Sequence, residues 1–214
     1  MNRFTYLLFF LLFFIVACTH TDLNKTEETD NWLSDDAYFA DRQSHYDSLV
    51  TWQYSAKVAV KSEATNQQAN LVWLFSDQAN SVRLYGPLGI GQIKVEFDQY
   101  GVQLSDNKGI LHQGLTSHGK SAEQLLTEIT NLPIPMDALS YWLFVVPAPE
   151  HVFRYQLNEQ ENVSVIEQLG WKIEYSGYRN YNGNFLPRKL TATREYADSE
   201  HGTIVVKLIT KGWK

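Results

Sequence analysis

The chain has 214 residues, 44% of them hydrophobic, with 24 acidic against 18 basic residues and a formal charge of −6. That length suits one domain with a sizeable core, and the acidic balance argues against a nucleic-acid binder, whose electrostatic footprint is basic. A lone cysteine, Cys18, excludes intrachain disulfides, thiolate zinc clusters and paired redox thiols.

Residues 1–17 carry one cation, Arg3, followed by an apolar run over residues 6–17. At 1.5 Å per residue that run covers only about 18 Å, short of a bilayer core of about 30 Å. This is the anatomy of a signal peptide rather than a spanning helix. It ends Ile15-Val16-Ala17-Cys18, which resembles the bacterial lipobox, where the signal is cut before an acylated cysteine. Residues 1–17 are therefore expected to be signal, with Cys18 as the lipidation site. Thr19 follows the cysteine in place of the aspartate associated with inner-membrane retention, so the resemblance implies an anchor in the outer membrane, facing the periplasm. Residues 18–30 are polar and aperiodic. They form a tether of about a dozen residues, spanning about 20 Å on average. A single domain is expected over residues 31–214.

Residues 32–50 are expected to be helical and weakly amphipathic, with Ser34 as N-cap, Asp35 and Asp36 in the first turn, and Phe39, Tyr46 and Leu49 on one face. From Thr51 the apolar period becomes two. Ala56, Val58 and Val60 oppose Lys57 and Lys61, whereas residues 71–75, with Trp73 at their centre, read as apolar on both faces. Residues 83–97 form a hairpin whose turn, Gly86-Pro87-Leu88-Gly89, has an apolar tip. Turns normally face water, so Leu88 either folds back onto the core or meets a second apolar phase. Strands follow at 100–105 and 109–112 around Asp106-Asn107-Lys108-Gly109.

Two helices interrupt the strands. Ser121 and Gln124 make a capping box ahead of the stripe Ala122, Leu125, Leu126, Ile129 and Leu132. Asp137 caps a second helix with stripe Leu139, Trp142, Leu143 and Val146, ended by Pro147. Strands resume at 152–157, 163–167, 171–176, 188–195 and 203–209, ten or eleven in all, and short connections imply an antiparallel sheet. Two architectures satisfy this pattern: a strongly curved sheet whose hollow the helices partly fill, or a two-layer sandwich.

Chemistry is not signalled. The six histidines show no ligand spacing, and nucleophile-elbow, Walker and dinucleotide glycine motifs are absent. The glycines at 86–91 join two strands and open no helix, so they lack a phosphate cradle. Acid pairs such as Asp35–Asp36 lie in polar segments and read as solvated faces. No catalytic residue, metal or cofactor is expected.

Several segments in order resemble the LolB family of outer-membrane lipoprotein receptors. They are Gly86-Pro-Leu-Gly, Val102-Gln-Leu-Ser-Asp-Asn-Lys-Gly109, Leu132-Pro-Ile-Pro-Met136 with Leu139 and Trp142, Trp73, Tyr175-Ser-Gly-Tyr178, and the terminal strand ending at Trp213. Gly86 stands where the family often has Asn. The resemblance implies a mainly β (α+β) fold, an unclosed antiparallel β-barrel of about 11 strands with about three helices at its mouth around an apolar cavity. It implies a non-enzymatic, monomeric receptor that accepts acylated lipoproteins from a LolA-type periplasmic carrier and inserts them into outer-membrane phospholipid. Gly86, Pro87, Leu88 and Gly89 become the membrane-insertion loop. Trp73, Leu125, Ile129, Leu139, Trp142 and Leu143 are candidates for the acyl-cavity lining, with plain core packing as the competing role. An envelope-remodelling or partner-binding lipoprotein is the alternative function.

Overall fold

Strict alternation of apolar and polar side chains builds the framework. Strand β1 (Thr51–Lys61) buries Trp52, Tyr54, Ala56 and Val58 and exposes Lys57 and Lys61. The same two-residue period drives β2 (Asn66–Ser76), β3 (Asn80–Tyr85), β4 (Ile93–Phe97) and β5 (Gly101–Asp106), and β6 (Gly109–Leu115) pairs along β5. It returns in β7 (Phe153–Leu157), β8 (Val163–Gln168), β9 (Trp171–Ser176), β12 (Lys189–Glu195) and β13 (Thr203–Trp213), with a small separate hairpin from β10 (Arg179–Tyr181) and β11 (Asn184–Leu186). This computed structural model describes residues 31–63, 65–76, 78–86, 91–115, 124, 127, 133–196 and 202–214. The signal, Cys18 and its tether, Pro87, Leu88 and Gly89, and Leu125 and Ile129 lie outside the described residues.

Eleven strands form one sheet in the order β6-β5-β4-β3-β2-β1-β13-β12-β9-β8-β7. Every pairing is antiparallel, and β6 and β7 do not meet, so the sheet curls without closing. Register keeps the apolar set on one wall. Leu104, Val95, Val82, Trp73, Tyr54 and Trp213 are successive cross-strand partners, as are Val58, Leu208, Leu190 and Tyr175. Register shifts at Ser55/Ala56, Leu104/Ser105 and Gln156/Leu157 mark bulges, which bend strands and add twist. A single curled sheet with a helix against one wall resolves the choice between curved sheet and sandwich.

The helices differ from expectation. Two α-helices, rather than about three, stand among the described residues: α1 (Ala40–Asp47) and α2 (Met136–Leu143). The helix expected at 121–132 falls outside them, apart from Gln124 and Thr127, which are helical. Asp35, not Ser34, caps the first helical segment: its Oδ1 accepts from the Ala37 N–H at 2.9 Å, and a 3-10 turn (Asp36–Phe39) precedes α1. Asp137 lies inside α2 rather than capping it, and α2 ends at Leu143, before Pro147.

The strand reading also needs two corrections. Leu74 is 40% exposed, so β2 has one wet face rather than two covered ones. The β10–β11 hairpin falls where no strand was expected. Asn182 and Gly183 both have positive φ, 52° and 96°, which suits the tight turn that a two-residue hairpin requires.

Candidate functional site

The inner wall of the sheet is the candidate site, and α2 occupies it. Leu139, Trp142 and Leu143 face inward because three- and four-residue spacing puts them on one helical side. Directly after the helix, Phe144, Val145 and Val146 make a buried turn. Val145 has φ 59°, a left-handed conformation that disfavours β-branched residues and costs on the order of 1–3 kcal/mol. Hydrogen bonds from the Val145 N–H to the Trp142 carbonyl (3.0 Å) and from the Val146 N–H to the Tyr141 carbonyl (3.2 Å) hold it. Phe144 packs on Trp213, Tyr46 and Trp52 at ring separations of 4.6, 5.2 and 5.6 Å.

Polar side chains fasten α2 to the wall. Gln168, 3% exposed, accepts from the Trp142 indole N–H (2.9 Å) and the Ala148 N–H (2.8 Å), and its amide donates to the Ala148 and His151 carbonyls (2.8 and 3.2 Å). Tyr175 donates to the Trp142 carbonyl at 3.1 Å. Ser140 donates to the Asp137 carbonyl at 2.6 Å, so the Tyr46 hydroxyl, 2.8 Å away, donates to Ser140. Burial pushes the Tyr46 phenol up to about 12, so it remains a donor at any physiological pH. Tyr46 is expected from sequence only as part of the apolar face of the first helix, not as a hydrogen-bond donor, and Gln168 is not singled out at all; the only signal for Gln168 is a polar residue sharing a strand face with Ile166.

Beside α2 the wall opens into a hollow of about 790 Å³, within the range of ligand-binding pockets. Trp73, Phe75 and Phe97 line it from the sheet, Met136 and Tyr141 from the helix side. A second groove of about 860 Å³, edged by Phe39, Pro147 and Phe153, shares Asp47, Ala148, Pro149 and His151 with the first. Of the described candidates for the lining, Trp73 borders the hollow, its indole donating to Asn80 at 2.9 Å. Leu139, Trp142 and Leu143 are packed between helix and wall instead. Gly86 lies just beyond β3 and is far from this hollow in topology, at the turn end of the β3–β4 hairpin.

The hollow is mostly apolar but not free of ionisable groups, since Asp47, Asp137 and His151 border it. Among the described residues no group of three or more His, Cys, Asp or Glu can hold a metal ion. Desolvation at the hollow raises the Asp137 carboxyl above its ordinary 3.8, although the residue keeps substantial exposure. The folded chain therefore holds this proton more tightly than the unfolded chain. Its contribution to stability is most favourable in acid and declines as pH rises through the raised pKa. Asp137→Asn is expected to remove that decline, giving a smaller fall in urea midpoint between about pH 4 and pH 7 than the parent shows. Parallel pH profiles for the two would contradict it.

A family model described as outer membrane lipoprotein LolB matches residues 50–213. The chain belongs to the LolB family. A LolB protein of Francisella tularensis subsp. tularensis (strain WY96-3418) is 28% identical over 208 residues, covering 95% of this chain and 90% of its own. One from Pseudomonas aeruginosa (strain LESB58) is 30% identical over 166 residues, covering 78% and 75%. In three dimensions the chain is similar to a LolA superfamily protein from Nitrosomonas europaea, with TM-score 0.50 and 11% identity over 85% of this chain and 93% of that one. That likeness concerns the fold. LolB is a family of outer membrane lipoproteins, not of enzymes.

Proposed function

We propose that this chain is an outer-membrane receptor that takes acylated lipoproteins from a LolA-type carrier, shelters their acyl chains against its inner wall, and releases them into the inner leaflet. The observation that carries this reading is the unclosed sheet whose apolar wall opens to solvent beside α2. Each buried methylene is worth about 0.8 kcal/mol, so exposing one acyl chain to water costs on the order of 10 kcal/mol. Transfer therefore needs a continuous apolar path. An aromatic-lined hollow meets that need without a catalytic group, provided affinity rises from carrier to receptor and the bilayer lies lower still.

Within this scheme α2 fills the wall until lipid arrives, and Leu139, Trp142 and Leu143 join Trp73 in the lining as the helix yields. Leu125 and Ile129 belong to the same apolar set by their sequence stripe. Cys18 supplies the address: acylated, it holds the receptor on the periplasmic face of the target membrane, and the tether lets a monomeric domain reorient. The test mixes a soluble form lacking Cys18 with a LolA–lipoprotein complex and follows the lipoprotein by pull-down. The lipoprotein is expected to change partners; retention on the carrier would sink the receptor reading.

A further inference from the structure

Charge is unevenly distributed over this acidic chain. β1, β2, β3 and β13 contain no Asp or Glu, and β12 contains only Glu195, at its last position. These five strands are contiguous, in the order β3-β2-β1-β13-β12. Their outer face, opposite the wall that packs α2, exposes Arg83, Lys57, Lys61, Lys189, Lys207 and Lys211.

Register sets their spacing. Lys189 pairs with Ile209, Ile209 with Lys57, Lys57 with Asn70, and Asn70 with Tyr85, one row across all five strands. Lys207 lies in the next outward row, between Thr191 and Ala59. Strands about 4.8 Å apart put Lys189 and Lys57 about 10 Å from each other, close to the screening length at physiological salt. Neighbouring charges therefore reinforce one another's field instead of acting alone. Among the described residues none of the six pairs with a carboxylate. Lys211 is bonded at 2.6 Å to the neutral Asn70 side chain, which fixes it without cancelling its charge.

We propose that this outer face is a docking surface for anionic phospholipid headgroups, so that the domain lies on the bilayer sheet-side down. Five of the six cations are lysines, compact charges on flexible stems that suit mobile headgroups; a shaped carboxylate partner calls for arginine forks. Clusters of this size are typical of anionic-lipid recognition. Exposed Ile209, seated between Lys189 and Lys57, adds aliphatic area among the charges. The row through Lys57 ends at Tyr85, next to Gly86, so the basic face runs to the root of the hairpin assigned to membrane insertion. The inference rests on the proposed function only for choosing lipid over other polyanions.

The test uses the mature chain from residue 18 with Cys18→Ala, without carrier or cargo, so that its failure leaves the transfer reading untouched. Binding is measured by co-sedimentation with phosphatidylcholine vesicles, with or without about 30% phosphatidylglycerol. The parent is expected to prefer the anionic vesicles and to lose that preference at about 0.5 M salt. The triple variant Lys57→Gln, Lys189→Gln, Lys207→Gln is expected to lose at least about tenfold in affinity. A control with the same charge change away from this face, Arg42→Gln, Lys108→Gln, Arg179→Gln, keeps its binding, and melting curves verify that both variants are folded. No preference for phosphatidylglycerol, or equal losses in the two variants, overturns the proposal. So does a face variant that binds vesicles normally but, in a separate pull-down with the carrier present, no longer accepts lipoprotein, which assigns the face to an acidic protein.

Discussion

A chain carrying Leu88→Glu is expected to take lipoprotein from the carrier as readily as the parent and to leave it stranded, with delivery to liposomes falling by at least about tenfold. Burying a leucine is worth about 1.5–3 kcal/mol, and a carboxylate entering hydrocarbon costs roughly as much again. The substitution therefore reverses the sign of the loop's interaction with the bilayer. Uptake is spared because the hollow reaches this hairpin only through Asn80 and Phe97, paired at the end of β3 and β4 away from the turn. At the root of the hairpin, Leu84 pairs with Ile93, and Ile93 is 38% exposed, so apolar surface already begins where the loop leaves the sheet. Single-round transfer to liposomes, with uptake scored separately by pull-down, checks the prediction. Equal delivery by parent and variant would remove the assigned role.

The second large effect is structural. Gln168→Leu is close to isosteric, yet it strands the Trp142 indole N–H, the Ala148 N–H and carbonyl, and removes a bond to His151. Each buried polar group left unpaired costs about 1–3 kcal/mol. A loss of about 3–5 kcal/mol is expected in urea unfolding, a large share of the roughly 5–15 kcal/mol that holds a domain together. A change below about 0.5 kcal/mol would mean that the amide is not what fastens α2.

The framework was legible because it is written in local alternation. Trp52, Tyr54, Ala56 and Val58 announce an inner wall whatever their partners, and Trp171–Ser176 was readable to the residue. Elements whose signal is weak or whose cause is distant were not. The β10–β11 hairpin has three-residue arms, too short for a period to emerge, although Asn182-Gly183 marks its turn. Val146 continues the apolar stripe of α2, so the pattern pointed to Pro147 as the stop. The chain turns earlier because Phe144 finds Trp213, Trp52 and Tyr46, none of them near in sequence. Leu74 looked covered because hydrophobicity alone does not say which face receives a second layer.

The site divides along the same line. Trp73 was readable as an inward aromatic, and it borders the hollow. That Leu139, Trp142 and Leu143 pack instead between helix and wall depends on Gln168 and Tyr175, brought in from separate strands. Helical spacing identifies the apolar side of a helix but not whether protein or a guest covers it. The basic outer face has a similar origin. Its lysines are scattered through the chain and gather only when β13 joins β1 and β12.

An unclosed sheet keeps two raw edges, and proteins crowded on one membrane would be prone to join through them. β7 answers this hazard with brevity, a bulge at Gln156/Leu157, and a patch: Leu33 and Tyr155 exchange both backbone hydrogen bonds, at 2.9 and 2.8 Å. Arg154 lies over the Trp32 ring at 4.2 Å, Tyr38 packs tilted against Tyr155, and Phe39 meets Tyr155 and Phe153 edge to face. The stretch just before the helices thus serves as a selvedge, finishing the cloth of the sheet so that neighbouring copies do not knit together.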